Sequence, residues 1–547
     1  MVLMKGKPKK DILGYEEENG LTEEKKKKET FNSLSPWYLI LFVFLLALSV
    51  RLIFLFFFSD ADRPQVGDVW HHWQIAYLSK TIGFKHGFLR LWDFKGMEFY
   101  WGLLHPLILM VAFTIFGSVS IVVPRVVSAL FGSGVITLIF LIVARHFNKK
   151  AAFAAAIFLS LLPNTIFHDT LGLQEPVGLF FLLLGIWFFP GQAFAAGFSL
   201  MLAGMVRAEY WLFGAGLVLA ILIKERNFDR KVLVLLGYSI PCIFYLKYML
   251  DYTGNPIYPI YWNFLGVSAG EWSPPLGELA ARLVPIKLVC QIFAGVFLIS
   301  GLVVFLRKIK PFLFLLLGFA NLAFVFMIHG FGVYLYGYEH LPHYPGFIDL
   351  VWIGKLFAFP WSFLGTLAVI FLLYFLPKKM GKQGTILGAV IFLVGLGATQ
   401  LVWPTVSIYY LESPLRAEPC KKAAKVIASQ YTGRGTIILP EQSEFLTYFL
   451  VHDEGIPGER LATSFYDPFY YYKGKDPFSE WDTFREEIIG WLKKNNAELL
   501  VAYEINQKHV EGFRNYYRML ELEEGKLFEY AAKDYVYTIY KVKINED

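Results

Sequence analysis

Trp37 to Phe58 reads WYLILFVFLLALSVRLIFLFFF, an apolar run whose only charge is Arg51. About 20 such residues span the hydrocarbon core of a bilayer. Similar runs recur along the chain, for example at Val135–Val143. Over 547 residues the sequence is 56% hydrophobic and 18% charged, with 53 Phe, 31 Tyr and 14 Trp. A soluble domain carries nearer 25% charged residues, so this excess of apolar side chains exceeds what one soluble core holds. The composition excludes a soluble enzyme, a collagen-like chain and a disordered protein. It also excludes a disulfide scaffold, because Cys242 and Cys290 lie in apolar spans and only Cys420 lies outside them. The expected fold is a polytopic α-helical membrane protein.

Charge placement orients the spans. Residues 1–34 form a polar tail ending near Lys25–Lys28, beside the first apolar run, and basic residues there hold a flank in the cytoplasm. Further basic clusters stand at Arg145–Lys150, Lys224–Arg226, Arg230-Lys231, Arg307–Lys310 and Lys378–Lys382. Keeping all of them inside predicts about eleven spans, near 37–58, 123–144, 151–167, 176–190, 193–206, 209–223, 232–250, 286–306, 311–329, 349–376 and 384–403. The membrane domain then covers 35–411, its first outer loop is 59–122, and the chain sits in the cell membrane with its N-terminus inside. Gly102–Gly117 is short and interrupted by His105-Pro106, and reads as a re-entrant or interfacial element; an ordinary span is the other reading. Residues 412–547 change composition. Gly435–Leu439, Glu498–Ala502 and Tyr535–Val542 read as strands and Trp481–Asn495 as an amphipathic helix, which makes a small α/β domain outside the membrane.

Ionisable residues are nearly absent from the span centres. Arg51, Lys247 and Lys287 fall towards expected outer ends, where long side chains can snorkel. Polar groups gather instead at the outer face: Asp68, His71 and His72 in the first outer loop, His168, Asp169 and Glu175 in the second, then Arg207 and Glu209, and later the run His329–His343 with His340. Asp68 stands before a Trp- and Tyr-rich helix, as a general base, a cation ligand or a helix cap. Adjacent histidines on a helix diverge by about 100°, so His71-His72 suits interfacial packing better than chelation. Glu175 before Pro176 is either a site residue or a helix start, and Asp169 beside His168 is equally open. Arg207 can hold a phosphate through two parallel hydrogen bonds, or pair with Glu209 or Glu175.

The motifs Gly67-Asp68-Val69-Trp70-His71-His72-Trp73, Leu103-Leu104-His105-Pro106-Leu107, Arg125–Gly132, Leu171–Pro176, Arg207-Ala208-Glu209 and Gly254–Pro259 follow one another in an order that resembles GT-C superfamily membrane glycosyltransferases. The nearest branch is that of protein O-mannosyltransferase-like enzymes (glycosyltransferase family 39). The resemblance runs over roughly 35–410 and is strongest over 60–210. Where that branch carries an acidic pair this chain has Asp68-Val69, and the usual Lys-Pro-Pro is missing from the segment Leu103-Leu104-His105-Pro106-Leu107.

The resemblance implies an inverting enzyme that takes a sugar from a polyprenyl (dolichyl-type) phosphate and passes it to an acceptor hydroxyl on protein, lipid or glycan, with no role for nucleic acid. It implies Asp68 as base, Glu175 supporting the acceptor or a divalent cation (Mg or Mn), and Arg207 on the donor phosphate. His71, His72, Asp169, Glu209 and His340 are the accompanying substrate-binding candidates. An oligosaccharyltransferase has the same architecture, but its Trp-Trp-Asp-Tyr-Gly signature has only a poor counterpart in Ser479–Thr483. A lipid-linked sugar flippase or transporter is the non-enzymatic alternative; repeated halves and polar residues at the midplane, which such proteins show, are not visible in this sequence.

Overall fold

The structure is a computed structural model, described here for residues 36–64, 67–82, 102–261, 279–307, 311–331, 358–403, 412–440, 443–463, 474–503 and 511–544. Its helices are α1 (Pro36–Ile53), α2 (Gly67–Ile82), α3 (Leu104–Phe116), α4 (Val122–His146), α5 (Lys149–Leu161), α6 (Pro163–Asp169), α7 (Glu175–Phe188), α8 (Ala193–Gly204), α9 (Ala208–Lys224), α10 (Phe228–Thr253), α11 (Leu279–Leu306), α12 (Phe312–Phe331), α13 (Ala358–Ile370) and α14 (Leu376–Thr399). The C-terminal region adds α15 (Glu412–Gln430), α16 (Glu444–His452), α17 (Trp481–Lys494) and α18 (Glu511–Glu523), with strands β1 (Thr436–Leu439), β2 (Leu461–Thr463), β3 (Ala497–Tyr503), β4 (Phe528–Asp534) and β5 (Tyr537–Val542). The polar tail 1–34 lies outside the described residues.

Helix stands at each of the expected span positions among the described residues. By length and hydropathy Trp37–Phe58, Val122–His146, Phe228–Asp251 and Leu288–Leu306 each suffice to cross a bilayer unaided. The span expected at 151–167 is a pair, α5 and α6, bent by 64° where Pro163 enters. Ser362–Thr399 has the length of one long span, yet it doubles back. Gly381 adopts φ +60°, and a Cβ on Gly388 would stand 2.2 Å from the Leu372 carbonyl oxygen, so the stretch after Gly381 lies along the stretch before it. The turn coincides with the basic cluster Lys378–Lys382, as the charge reading requires.

Helix α3 has 13 residues, about 20 Å at 1.5 Å per residue, which is short of the ~30 Å hydrocarbon core. Large apolar side chains on the outward faces stay uncovered, including Phe57 and Leu401 at 80% exposure. A patch of that kind is untenable in water and ordinary against lipid. The chain is a multi-pass, mostly helical membrane protein with a small sheet-bearing region at its C-terminus.

The sheet runs β2-β1-β3-β5-β4, with β2, β1 and β3 parallel and β3, β5 and β4 antiparallel. Every residue of β1 is buried. The core beneath this sheet is continuous with α2, α3 and the start of α4, so the compositional boundary near residue 412 is crossed by one hydrophobic core.

Trp70 of α2 is fully buried, with ring centroids 4.9 Å from Phe445, 4.9 Å from Tyr448 and 5.7 Å from Phe449 on α16. Gln74 Nε2 donates to Thr447 Oγ1 at 3.1 Å, and the Gly458 amide donates to the Tyr77 hydroxyl at 3.4 Å. Truncating a buried aromatic costs about 3–5 kcal/mol. Trp70→Ala should therefore lower the unfolding temperature and expose cleavage sites near Glu412 in limited proteolysis. Unchanged melting and cleavage would show that the sheet region stands without α2.

Candidate active site

Asp68 is the second residue of α2 and partly buried. It lies inside the first turn rather than ahead of it, where a carboxylate is favoured by the positive end of the helix dipole. The two residues after Val69-Trp70 diverge as helical geometry demands. His71 faces the C-terminal region, with Nε2 3.6 Å from Glu444 Oε1. His72 turns the other way and meets His105 of α3 edge-on, ring centroids 4.9 Å apart. Burial pushes the His72 imidazole well below its ordinary value; His105, His71 and Arg207 add to that, and Asp68 opposes it. Asp68, His105 and Arg207 thus all act on one buried ring, although they come from α2, α3 and the α8–α9 break.

That break follows from local sequence. Gly204 ends α8, and Arg207 enters α9 in extended geometry, φ −156° and ψ 146°. The guanidinium then meets two carboxylates. Nε donates to both oxygens of Glu209, at 2.8 and 2.9 Å, and Nη1 donates to Glu175 Oε1. Both ion pairs considered from the sequence therefore form together. Glu175, the first residue of α7, is the more deeply buried of the two. Its backbone carbonyl accepts from the Tyr210 hydroxyl at 3.1 Å. The Tyr210 ring lies so close over Gly178 that a Cβ there would stand 2.1 Å from it.

The start of α3 is fastened to the same break. The Leu104 amide donates to the Met205 carbonyl at 3.0 Å. Gly102, at φ +97°, lies where a Cβ would be 2.6 Å from the Met205 oxygen and 2.7 Å from the Val206 oxygen, so only glycine fits.

Asp169 belongs to a second arrangement. Arg51 Nε and Nη2 both donate to its Oδ2, at 2.8 and 2.6 Å, and His168 Nδ1 is 3.8 Å from Oδ1. Arg51 is fully buried, so it does not snorkel outward as expected. An ionic partner sits within reach, and bringing it in costs less than stretching the side chain out of the bundle. A Cβ on Gly132 would be 2.2 Å from Asp169 Cγ; the missing side chain makes the room for the pair.

Arg125, read in the sequence only as part of a span motif, is buried and donates to the backbone oxygens of Asp60, Ala61 and Thr170 and to Ser59 Oγ. It ties the end of α1 to the α6–α7 connection. Opposite charges in apolar surroundings were the available signal for Arg51 with Asp169; Arg125 had none, because its acceptors are mostly main chain. His340 lies outside the described residues.

Among the described residues no group of three or more His, Cys, Asp or Glu is disposed to hold a metal ion. The carboxylates of Glu175 and Glu209 are already turned towards Arg207. These residues do not form a ready ligand set for the expected divalent cation.

No family model and no curated protein sequence matches the chain. Among solved structures it is similar to the Archaeoglobus fulgidus oligosaccharyltransferase in complex with Zn and sulfate, at 16% identity and TM-score 0.41, covering 91% of this chain and 72% of that one. It is also similar to ArnT from Cupriavidus metallidurans bound to undecaprenyl phosphate, at 14% identity and TM-score 0.44, covering 93% and 98%. A third similarity is to the archaeal oligosaccharyltransferase AglB from Archaeoglobus fulgidus in complex with an inhibitory peptide and a dolichol-phosphate, at 15% identity and TM-score 0.41, covering 94% and 75%.

Breaking a buried ion pair by removing one partner costs about 3–5 kcal/mol, whereas removing both together costs far less. Arg51→Met and Asp169→Asn should each lower thermal stability strongly, and the double variant should recover most of the loss. Additive losses would show that the pair carries no coupling energy.

Proposed function

We propose that the chain is a GT-C-type glycosyltransferase of the O-mannosyltransferase-like branch. It moves a hexosyl unit from a polyprenyl phosphate to an acceptor hydroxyl at the outer membrane face, with inversion. The observation that carries this reading is the Arg207 guanidinium held between Glu175 and Glu209 at the α8–α9 break, to which the start of α3 is fastened, with His105 of α3 meeting His72 one turn after Asp68 on α2. A carboxylate and a guanidinium are thereby linked through α2, α3 and the α8–α9 break, in a protein whose uncovered apolar faces suit a lipid-borne substrate.

In this reading the acceptor oxygen attacks the anomeric carbon while its proton passes to Asp68. The bond from that carbon to the phosphate oxygen breaks, and the polyprenyl phosphate leaves with the electron pair. The departing phosphate needs a positive partner, and Arg207 can supply it by exchanging one of its two carboxylates. Glu209 is the better candidate for displacement, because its side chain is 12% exposed against 4% for Glu175 and so is rehydrated more easily. Glu175 then keeps the guanidinium in place during the exchange. Asp169, paired with Arg51, supports the outer end of the bundle, and His71 joins α2 to the C-terminal region.

General-base catalysis contributes roughly 10²–10⁴-fold to a rate. Donor consumption by the purified protein, followed by mass spectrometry over a panel of polyprenyl-phosphate sugars with an acceptor mixture of peptides and glycolipids, should fall by about that factor in Asp68→Asn. Equal consumption by variant and wild type would remove Asp68 as the base. Transfer only from a lipid-pyrophosphate oligosaccharide would replace this reading with that of an oligosaccharyltransferase.

A further inference from the structure

We propose that His105 recognises the hydroxyl groups of the donor's sugar, beside the position at which Arg207 meets the lipid phosphate; this assignment rests on the function proposed above. His105 is completely buried, and neither ring nitrogen has a hydrogen-bond partner among the described residues. Buried polar side chains almost always have such a partner, and an orphan calls for an occupant or a role. Glu175 supplies a second orphan: its Oε2 is buried without a partner, while Oε1 of the same carboxylate holds Arg207.

The elements that carry the two orphans are fastened to one short segment, residues 205–207. His105 stands in the first turn of α3, which the Leu104 amide and the Gly102 contact fasten to Met205 and Val206. Glu175 is fastened to Arg207, the next residue along. What they offer is chemically specific. A neutral imidazole has one N–H to donate and one nitrogen to accept, and a carboxylate oxygen accepts. A sugar hydroxyl donates once and accepts, so it complements both. A phosphate only accepts and cannot satisfy the carboxylate. The edge-on contact with His72 sets the ring plane of His105, so the donor and acceptor directions are fixed before a ligand enters.

The test compares the binding of undecaprenyl phosphate alone with that of undecaprenyl-phosphate mannose and undecaprenyl-phosphate glucose to the full-length protein in detergent. In wild type the sugar-bearing lipids should bind more tightly than the bare lipid. His105→Phe, which keeps the ring and removes both nitrogens, should shrink that difference by about tenfold, the worth of one to two hydrogen bonds. His105→Gln, which retains a donor and an acceptor, should restore part of it. Thermal melts of the apo variants check that each folds.

A difference that persists in His105→Phe overturns the assignment and marks the space as one for ordered water. Equal weakening of bare and sugar-bearing lipid in a folded His105→Phe also overturns it, because the effect would then be on the scaffold. A wild type that binds none of the three lipids overturns the proposed function itself, and is distinguished from the other outcomes by the missing wild-type signal.

Discussion

A charge taken out of water inside an apolar bundle must find its counterpart within the protein, and this requirement organises the packing around Arg51, Arg125 and Arg207. Removing an ion from water is expensive enough that an unpaired one would neutralise or unfold its surroundings. Arg51, Arg125 and Arg207 are each answered from neighbouring elements. Arg51 has Asp169, Arg207 has Glu175 and Glu209, and Arg125 has a ring of main-chain and hydroxyl oxygens. Because the partners come from different helices, each answer also fixes how those helices sit. The ion pair of Arg51 holds α1 to α6, and that of Arg207 holds the α8–α9 break to the start of α7. The acceptors of Arg125 bind α4 to the segments on either side.

Helix α2 is the element through which these constraints reach the C-terminal region. It carries Asp68 at one end, presents Trp70 and Gln74 to α16, and sends His71 and His72 in opposite directions. A rotation of α2 by even a fraction of a turn would alter all of these relations together. The sheet region is therefore part of the scaffold that aims Asp68, as well as whatever else its surface does. Its packing explains why residues of α2, α3 and α4 share a core with strands far away in sequence.

Much of this was legible in the residues, and what was not has physical reasons. Apolar runs and basic turns located the helices, because hydrophobic length and charge placement are properties of contiguous sequence. The turn at Gly381 and the strands Thr436–Leu439, Ala497–Tyr503 and Tyr537–Val542 lie where patterning put them. The divergence of His71 and His72 followed from helical geometry alone. The partners of Arg51 and the orphaned ring of His105 depend on tertiary contacts between residues far apart in the chain, and no local pattern encodes these. The reading of Arg51 failed for that reason: position along a span says how far a side chain must reach for water, not whether a carboxylate waits nearer.

The helices around Arg207 are short. α8 has 12 residues and α7 has 14, about 18 and 21 Å at 1.5 Å per residue, against a hydrocarbon thickness of ~30 Å. If α7 and α8 cross the bilayer, as the sequence reading expects, the bilayer thins around them or their polar ends lie beneath the headgroup plane. In either case the distance between the headgroup level and the Arg207 turn contracts. Under the function proposed above, a lipid phosphate would meet the guanidinium with its isoprenoid chain still in the bilayer, and the mismatch would do work that otherwise requires pulling the lipid outward.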